Sequence, residues 1–254
     1  MNRNFLIFIL VILFLSPASS AVFFSGTNQG EDCGTSSVLV PSDQITLSAW
    51  ANTSLDNSNQ ALIVRSTTSA NAEPYVFRLV AGAGGAARVG CQVVTTGGTF
   101  SQIITCGIGI DCYEENVWNH FACTWDSSDN LIVYVNGVSK GTTGSVTGSF
   151  SSFDSKMGFG LFGSGVYDFN GQITDVAVYD RGLTSAEIET LALSRKRNTI
   201  SDGRIGYWPA DDYEDGKNLG FTAGNDLIDR SGNGNDCAQV GGVIAKAEEW
   251  INNQ

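Results

Sequence analysis

The chain has 254 residues, a formal net charge of −12 and 42% hydrophobic residues, with six cysteines and one histidine. This length is ample for one large domain or two small ones with a sizeable core. The negative charge argues against nucleic acid as a partner, because phosphate binding needs a basic surface. It also disfavours anionic membranes and anionic polysaccharides, whereas neutral ligands and divalent cations stay open.

Residues 1–21 are predicted to be a secretory signal peptide. Residues 1–4 are weakly positive, residues 5–15 form an unbroken apolar run, and small residues follow up to Ala21. This order is typical of an export signal, and the apolar run is shorter than the roughly 20 residues that span a bilayer. No later segment is apolar enough to cross a membrane, so we expect a secreted, extracellular protein.

The six cysteines fit an exported protein, because export leads to oxidising conditions in which disulfides form. The sequence does not choose among the possible pairings. Cys106 and Cys112 bracket a glycine-rich stretch and are candidates for a loop-closing disulfide. A zinc site is weakly supported, because the chain has no C-x-x-C pair and a single histidine.

The residue pattern from 23 to 180 predicts many short strands separated by turns. Polar and apolar residues alternate over 44–50, 74–79, 88–94 and 131–135, the pattern of strands with one buried face. Residues 96–99 and the pair Asn136-Gly137 are hairpin-turn signals. The fold class predicted is all-β, a two-sheet antiparallel jelly-roll sandwich over residues 22–200.

One segment departs from this pattern and predicts a short surface helix. Residues 183–193 have helical spacing, with Ile188, Leu191 and Ala192 on one side. Thr184 and Glu187 form a capping-box pattern at its start. A basic run at residues 195–197 follows, where positive charge suits the helix dipole.

The composition becomes loop-rich after residue 203. Residues 201–254 are few for an independent domain, so we expect this segment to complete the same sandwich. A short helix is expected around residues 245–251, at the end of the chain.

Several short sequence segments resemble those of the laminin-G-like domains of the concanavalin A-like lectin/glucanase superfamily. They lie at residues 24–28, 32–34, 45–50, 118–126, 134–137, 169–173 and 176–184, and the resemblance spans about residues 23–193. Residues 207–209 and 229–236 resemble a part of the family that precedes its opening strand. This order suggests a permuted chain, and the alternative is the truncated start of a second repeat, which would leave an edge strand uncovered.

The resemblance also implies a structural calcium ion. Calcium takes six to eight oxygen ligands from carboxylates, amides and carbonyls on loops. Such oxygens occur within eight residues at Asp229, Asn233, Asn235 and Asp236. The alternative is an ordinary solvated turn. Relatives carry an acidic residue after the isoleucine of the closing strand, where this chain has Thr174 and then Asp175, and a one-residue shift turns a side chain to the opposite face.

Aromatic residues are dense between residues 150 and 169. Aromatic faces stack on sugar rings, while amides and carboxylates bind the hydroxyls. Phe153 and Tyr167 lie in loop-like contexts and, with Asp154, are the candidate ligand-binding residues, although each aromatic could instead belong to the core. The tryptophans in apolar strand patterns are expected in the core: Trp50, Trp118, Trp125 and Trp208.

No catalytic motif is visible in the sequence. Glucanases of the superfamily carry alternating acids on one strand, and this chain has no such run. Glu187 and Glu189 point apart on a helix, and His120 matches a structural position of the family phrase. The expected function is a secreted, non-catalytic module for carbohydrate or glycoprotein ligands. One alternative is an adhesive surface protein that binds other proteins, and another is a polysaccharide hydrolase.

Overall fold

The computed structural model describes residues 19–26, 28–54, 58–66, 73–82, 85–96, 100–106, 111–144, 146–150, 155–160, 167–194, 198–210, 227–241 and 244–248. The first eight strands are β1 (Ser19–Ser25), β2 (Gly30–Asp32), β3 (Ile45–Thr53), β4 (Gln60–Ser66), β5 (Tyr75–Ala81), β6 (Ala87–Val94), β7 (Phe100–Thr105) and β8 (Trp118–Trp125). The remaining elements are β9 (Leu131–Val135), β10 (Val138–Thr143), β11 (Lys156–Phe159), β12 (Asn170–Tyr179), helix α1 (Ser185–Leu193), β13 (Arg204–Trp208), β14 (Ala238–Val240) and β15 (Ile244–Glu248).

These strands form two antiparallel sheets. Sheet A has the order β10-β9-β8-β3-β12-β1-β15, with β13 also paired to β12. Sheet B has the order β14-β2-β11-β4-β5-β6-β7. Consecutive strands switch between the sheets repeatedly, so the chain closes a jelly-roll sandwich around one interior. The predicted fold class is confirmed.

The hydrophobic core lies between the two sheets, and side-chain alternation selects its members. Along β8, Phe121, Cys123 and Trp125 face this core. Ala122 faces the other way and joins a second apolar cluster on the outer face of sheet A. Phe150 meets Trp125 edge to face, with ring centroids 5.0 Å apart. Period-2 alternation along β8 therefore assigns each of its residues to the core or to the outer face.

Helix α1 packs on the outer face of sheet A, as the sequence predicted. The Thr184 hydroxyl accepts a hydrogen bond from the Glu187 amide, and the Glu187 carboxylate accepts one from the Thr184 amide. These two bonds complete a capping box that satisfies amide groups of the first turn. Ile188 and Leu191 are buried against Tyr134 and other residues of sheet A.

Strands from the C-terminal segment lie in both sheets. β13 pairs with β12 and β15 with β1 in sheet A, and β14 pairs with β2 in sheet B. A disulfide between Cys33 and Cys237 joins this segment to the residue that follows β2. The predicted signal peptide falls mostly outside the described residues, although β1 begins at Ser19, within its last three residues.

The helix predicted around residues 245–251 is wrong for the described part of that range. Residues 244–248 form β15, whose backbone pairs with β1 from Ser19↔Glu248 to Phe23↔Ile244. An unpaired edge of β1 offers this segment a row of backbone donors and acceptors, and such tertiary pairing overrides a weak local preference for helix.

Three disulfides link the described cysteines. Cys91 of β6 is joined to Cys123 of β8, so this bond crosses the core between the sheets. Cys106 is joined to Cys112, the loop-closing pair suggested by the sequence. Within the described residues, no helix combines the length and the apolar character that crossing a bilayer requires.

Candidate ligand-binding site

A cleft of about 460 Å³ opens where β8 begins, at one end of sheet A. Its walls come from the loop 111–117, from the first residues of β8 and from the turn between β9 and β10. The lining residues are Asp111, Cys112, Tyr113, Glu114, Val117, Trp118, Asn119 and Asn136. A volume of this order suits a small ligand or a short segment of a polymer.

Trp118 brings an aromatic ring to this cleft. It is the first residue of β8 and lies directly opposite Asn52 of β3. Alternation along β8 places Trp118 on the same side as Ala122, which faces away from the core. The residue is only partly buried. The expectation that Trp118 belongs to the core is therefore wrong, because its position in β8 turns it away from the interior between the sheets.

Two asparagines hold the walls of the cleft together. The buried Asn119 side chain donates to the carbonyls of Glu114 at 2.8 Å and Val117 at 3.1 Å, which fixes the loop beside β8. Its oxygen accepts a hydrogen bond of 2.9 Å from the exposed Asn136 amide. Asn136 in turn accepts a hydrogen bond from the backbone amide of His120 at 2.8 Å. The cleft is thus built before any ligand arrives.

The turn that carries Asn136 was predicted from the sequence. Asn136 and Gly137 have φ values of 50° and 80°, as a two-residue hairpin turn of type I′ requires. Gly137 also lies close to helix α1, because a Cβ placed there would be 3.1 Å from the Cα of Glu189. The turn is therefore positioned by its own backbone geometry and by the helix.

The loop 111–117 is tied to sheet B at its start. The carboxylate of Asp111 accepts a hydrogen bond of 2.7 Å from the Ala87 amide, and the Cys112 amide donates to the Ala87 carbonyl at 2.7 Å. The disulfide to Cys106 adds a covalent link. The ring of Tyr113 meets Phe121 edge to face at 5.0 Å. This side of the cleft is consequently attached to both sheets.

The lining of the cleft carries negative charge. Asp111 and Glu114 are exposed acidic residues, and no Lys, Arg or His is among the lining residues that the structure describes. The negative charge also affects the buried Tyr113. Burial raises the pKa of its hydroxyl, and the carboxylates of Glu115 and Asp111 raise it further. A ligand in this cleft therefore meets an aromatic ring, amides and carboxylates.

The single histidine lies behind the cleft and is buried. His120 is 1% exposed, and its Nε2 atom is 2.9 Å from the Ser48 hydroxyl. Its ring contacts Trp50 with centroids 5.5 Å apart. Burial lowers the pKa of His120 to about 3, so the ring is neutral at physiological pH.

Of the three ligand-binding residues predicted from the sequence, the structure describes Tyr167, which is not among the residues that line this cleft. Phe153 and Asp154 lie outside the described residues. Tyr167 is partly buried against Val64 and Val76 on the outer face of sheet B, and the Arg78 guanidinium is 5.3 Å from its ring centroid. Binding by Phe153, Asp154 and Tyr167 stays a prediction.

The predicted calcium residues form a hydrogen-bonded loop beside β13. The buried Asp229 carboxylate accepts five hydrogen bonds, from the Tyr207 amide and from the backbone and side chains of Ser231 and Asn235. These donors occupy the lone pairs that a cation would need, so this arrangement fits a turn-forming carboxylate better than a calcium ligand.

The other members of the predicted calcium set also have partners in the loop. Asn233 and Asn235 both donate to the carbonyl of Ile205, and Asp236 accepts a hydrogen bond from the Asp229 amide. Within the residues that the structure describes, no group of three or more His, Cys, Asp or Glu side chains is placed to share a metal ion. Calcium binding at this loop stays a prediction.

Thr174 and Asp175 lie at a β-bulge, where the pairing of β12 with β3 shifts between Thr174 and Ala177. Asp175 has a φ of 53° and is buried. Its carboxylate accepts a hydrogen bond of 2.7 Å from the Tyr207 hydroxyl, and the Thr174 hydroxyl donates to the carbonyl of Pro209. Both side chains therefore connect β12 to the β13 region.

The chain belongs to the concanavalin A-like lectin/glucanases superfamily, because the model of this family matches residues 25–189, more than half of the chain. The resemblance seen in the sequence phrases is confirmed. No curated protein matches the chain.

Solved structures with the same fold include several carbohydrate-binding modules. A protein from Bacteroides ovatus ATCC 8483, provisionally named as carbohydrate binding, has a TM-score of 0.64 and 16% identity over 91% of this chain, which spans 60% of that protein. The CBM40 module of the Ruminococcus gnavus IT-sialidase, bound to α2,3-sialyllactose, has a TM-score of 0.54 and 18% identity over 67% of this chain and 96% of the module.

A third similar structure is domain 4 of AbnA, an extracellular arabinanase of Geobacillus stearothermophilus, in complex with arabinotriose. It has a TM-score of 0.50 and 21% identity over 68% of this chain and 76% of that domain. At these identities the similarity establishes the shared fold.

Proposed function

We propose that this chain is a secreted, non-catalytic carbohydrate-binding module whose ligand occupies the cleft at Trp118. The observation that carries the proposal is the combination of a partly exposed tryptophan ring with amides and carboxylates in one preformed cleft. An indole ring stacks on the apolar face of a sugar, and amides and carboxylates bind its hydroxyls.

Two of the fold neighbours support a sugar as the ligand class. Their structures contain sialyllactose and arabinotriose, respectively. The three disulfides support an extracellular location, because such bonds persist in oxidising surroundings. The predicted signal peptide agrees with this location.

The exposure of Asp111 and Glu114 favours binding over hydrolysis. Glycoside hydrolysis needs one carboxyl group that stays protonated to act as a general acid, and burial is a common means of keeping it so. Both acidic side chains of the cleft are open to solvent. Because two carboxylates in one cleft are also the groups that hydrolases use, release of reducing sugar is measured alongside binding.

A glycan array identifies the ligand, and titration of the best glycan against Trp118 variants tests the site. Trp118→Ala should weaken binding about tenfold, because loss of one aromatic contact costs about 1.5 kcal/mol. Trp118→Phe, which keeps an aromatic ring, should retain most of the affinity. Thermal unfolding of each variant checks that the fold is unchanged.

Parallel variants separate the cleft from the surface predicted by the sequence. If Trp118→Ala binds like wild type while Tyr167→Ala or Phe153→Ala loses binding, the ligand lies at the predicted surface and the cleft assignment is refuted. The array is read with and without a chelator. Binding that requires calcium would support the predicted site at Asp229.

The alternative function, an adhesive module that binds other proteins, makes a different prediction. If this alternative holds, no glycan on the array binds. The chain instead binds a protein partner, and Trp118→Ala does not weaken that binding.

A further inference from the structure

We infer that the cleft selects its sugar by charge: it prefers sugars that carry a free amino group over their neutral counterparts and rejects anionic sugars. This inference rests on the proposed function and names the ligand class of the same cleft. The observation behind it is the chemistry of the lining, whose described residues include the acidic Asp111 and Glu114 and no basic residue.

The two carboxylates are available to a ligand. Neither Asp111 nor Glu114 takes part in an ion pair among the described residues. One oxygen of Asp111 accepts a hydrogen bond from the Ala87 amide, and Glu114 is held only through its backbone carbonyl, by Asn119. The Ala87 amide therefore holds the Asp111 carboxylate in place, and neither carboxylate is paired with a described cation.

The described lining of the cleft offers charged acceptors and only neutral donors. The amide of Asn119 already donates to two carbonyls, and its oxygen already accepts from Asn136. The carboxylate oxygens of Asp111 and Glu114 add acceptors. A protonated amino group supplies three donors and no acceptor, so it complements this lining. A carboxylate or sulfate group supplies acceptors only and is repelled by the negative charge.

The ring of Trp118 and the two carboxylates make separate contributions to the binding free energy. Trp118 supplies stacking that is insensitive to the charge of the sugar, whereas Asp111 and Glu114 add a term only for a cationic ligand. The fold shared with a module that binds an anionic sugar gives no information on charge preference, because recognition depends on the residues of the site and not on the fold.

A matched pair of ligands measures the effect directly. A trimer of glucosamine and a trimer of N-acetylglucosamine share linkage and ring geometry but differ in charge, when titrated at pH 6 and low salt. An exposed ion pair is worth up to about 1 kcal/mol, so the wild type should bind the glucosamine trimer about fivefold more tightly. Sialyllactose, which is anionic, should bind more weakly than either trimer.

Variants assign the preference to the two carboxylates. Glu114→Gln and Asp111→Asn each remove one charge, and Asp111→Asn keeps an oxygen for the Ala87 amide. The affinity ratio of the two trimers should fall towards one in the double variant and, because salt screens exposed charges, in 0.5 M sodium chloride. Asp129→Asn is the matched control. It removes the same charge in the β8–β9 turn at the far end of β8, where Asn tolerates the φ of 60°, and should leave the ratio unchanged.

The possible failures are distinguishable. A ratio of one or less at low salt, or an unchanged ratio in the double variant, would overturn the charge selection while the loss of both trimers in Trp118→Ala still supports the cleft as a sugar site. If neither trimer binds, the inference is also overturned, and the glycan array alone then decides whether the chain binds another sugar.

Discussion

His120 makes the stability of the fold depend on pH between pH 7 and pH 5, above the range in which most carboxyl groups titrate. Its ring is buried, and burial lowers its pKa from 6.5 to about 3. Between these two values the unfolded chain takes up a proton that the folded chain does not bind. The free energy of unfolding is therefore fully retained above pH 6.5 and decreases as the pH falls from 6.5 towards 3.

The magnitude follows from the two pKa values. At pH 7 the histidine is mostly neutral in the folded and in the unfolded chain, so its protonation hardly changes the free energy of unfolding. At pH 5 it is almost fully protonated in the unfolded chain and neutral in the folded one. The difference lowers the free energy of unfolding by about 2 kcal/mol between pH 7 and pH 5. Because pH 5 lies well above the folded pKa, this cost is set by the unfolded value.

Urea denaturation followed by tryptophan fluorescence at pH 7 and pH 5 measures the effect. His120→Gln is the informative variant, because an amide can still bond to the Ser48 hydroxyl but has no proton to gain. It should be less stable than wild type at pH 7 and lose about 2 kcal/mol less between the two pH values. Glu187 does not interfere, because its pKa is lowered to about 2, mainly by its hydrogen bonds to Arg181, and its contribution is lost only as the pH falls below about 4.5.

An equal loss of stability in wild type and variant would refute this role of His120. If wild type and His120→Gln lose the same free energy of unfolding between pH 7 and pH 5, His120 is not held neutral by burial.

Three further predictions concern stability, and each is checked by urea unfolding of the variant against wild type. Thr184→Ala should cost about 1 kcal/mol, because it removes the side-chain cap of α1. Replacing Cys33 and Cys237 by serine should cost up to about 5 kcal/mol, since their bond closes a sequence separation of 204 residues, and removing the loop disulfide with a separation of 6 should cost about 2 kcal/mol. Gly171→Ala should prevent correct folding or cost more than about 2 kcal/mol, because its Cβ would lie 2.2 Å from a backbone oxygen of β3. Gly232→Ala also puts a side chain at a positive φ, of 94°, but its Cβ meets nothing within 4 Å, so it should cost less.

The local parts of the fold could be predicted from the sequence because their signals lie within a few residues. Alternation over 131–135 marks β9, Asn136-Gly137 marks its turn, and Thr184 with Glu187 marks the start of α1. Each of these patterns depends on backbone geometry that neighbouring residues determine by themselves. β15 was missed because its state depends on an edge strand more than 200 residues away.

The cleft could not be predicted because it is assembled across the chain. Its walls require the Ala87–Asp111 and Asn119–Asn136 hydrogen bonds, which depend on how the two sheets are paired. One signal was present in the sequence. Trp118 lies an odd number of residues from Phe121, so a strand that buries Phe121 turns Trp118 to the opposite face. Applying that parity to each aromatic residue would have directed attention to this end of β8.

The pairing of β1 with β15 also constrains how the chain is made. Val22 meets Ala245, and Asp32 meets Ala238, so β1 and β2 wait for partners that are synthesised more than 200 residues later. Neither sheet can acquire its full set of neighbours until β14 and β15 have emerged from the ribosome. Such late, distant pairing slows folding and leaves strand edges exposed meanwhile.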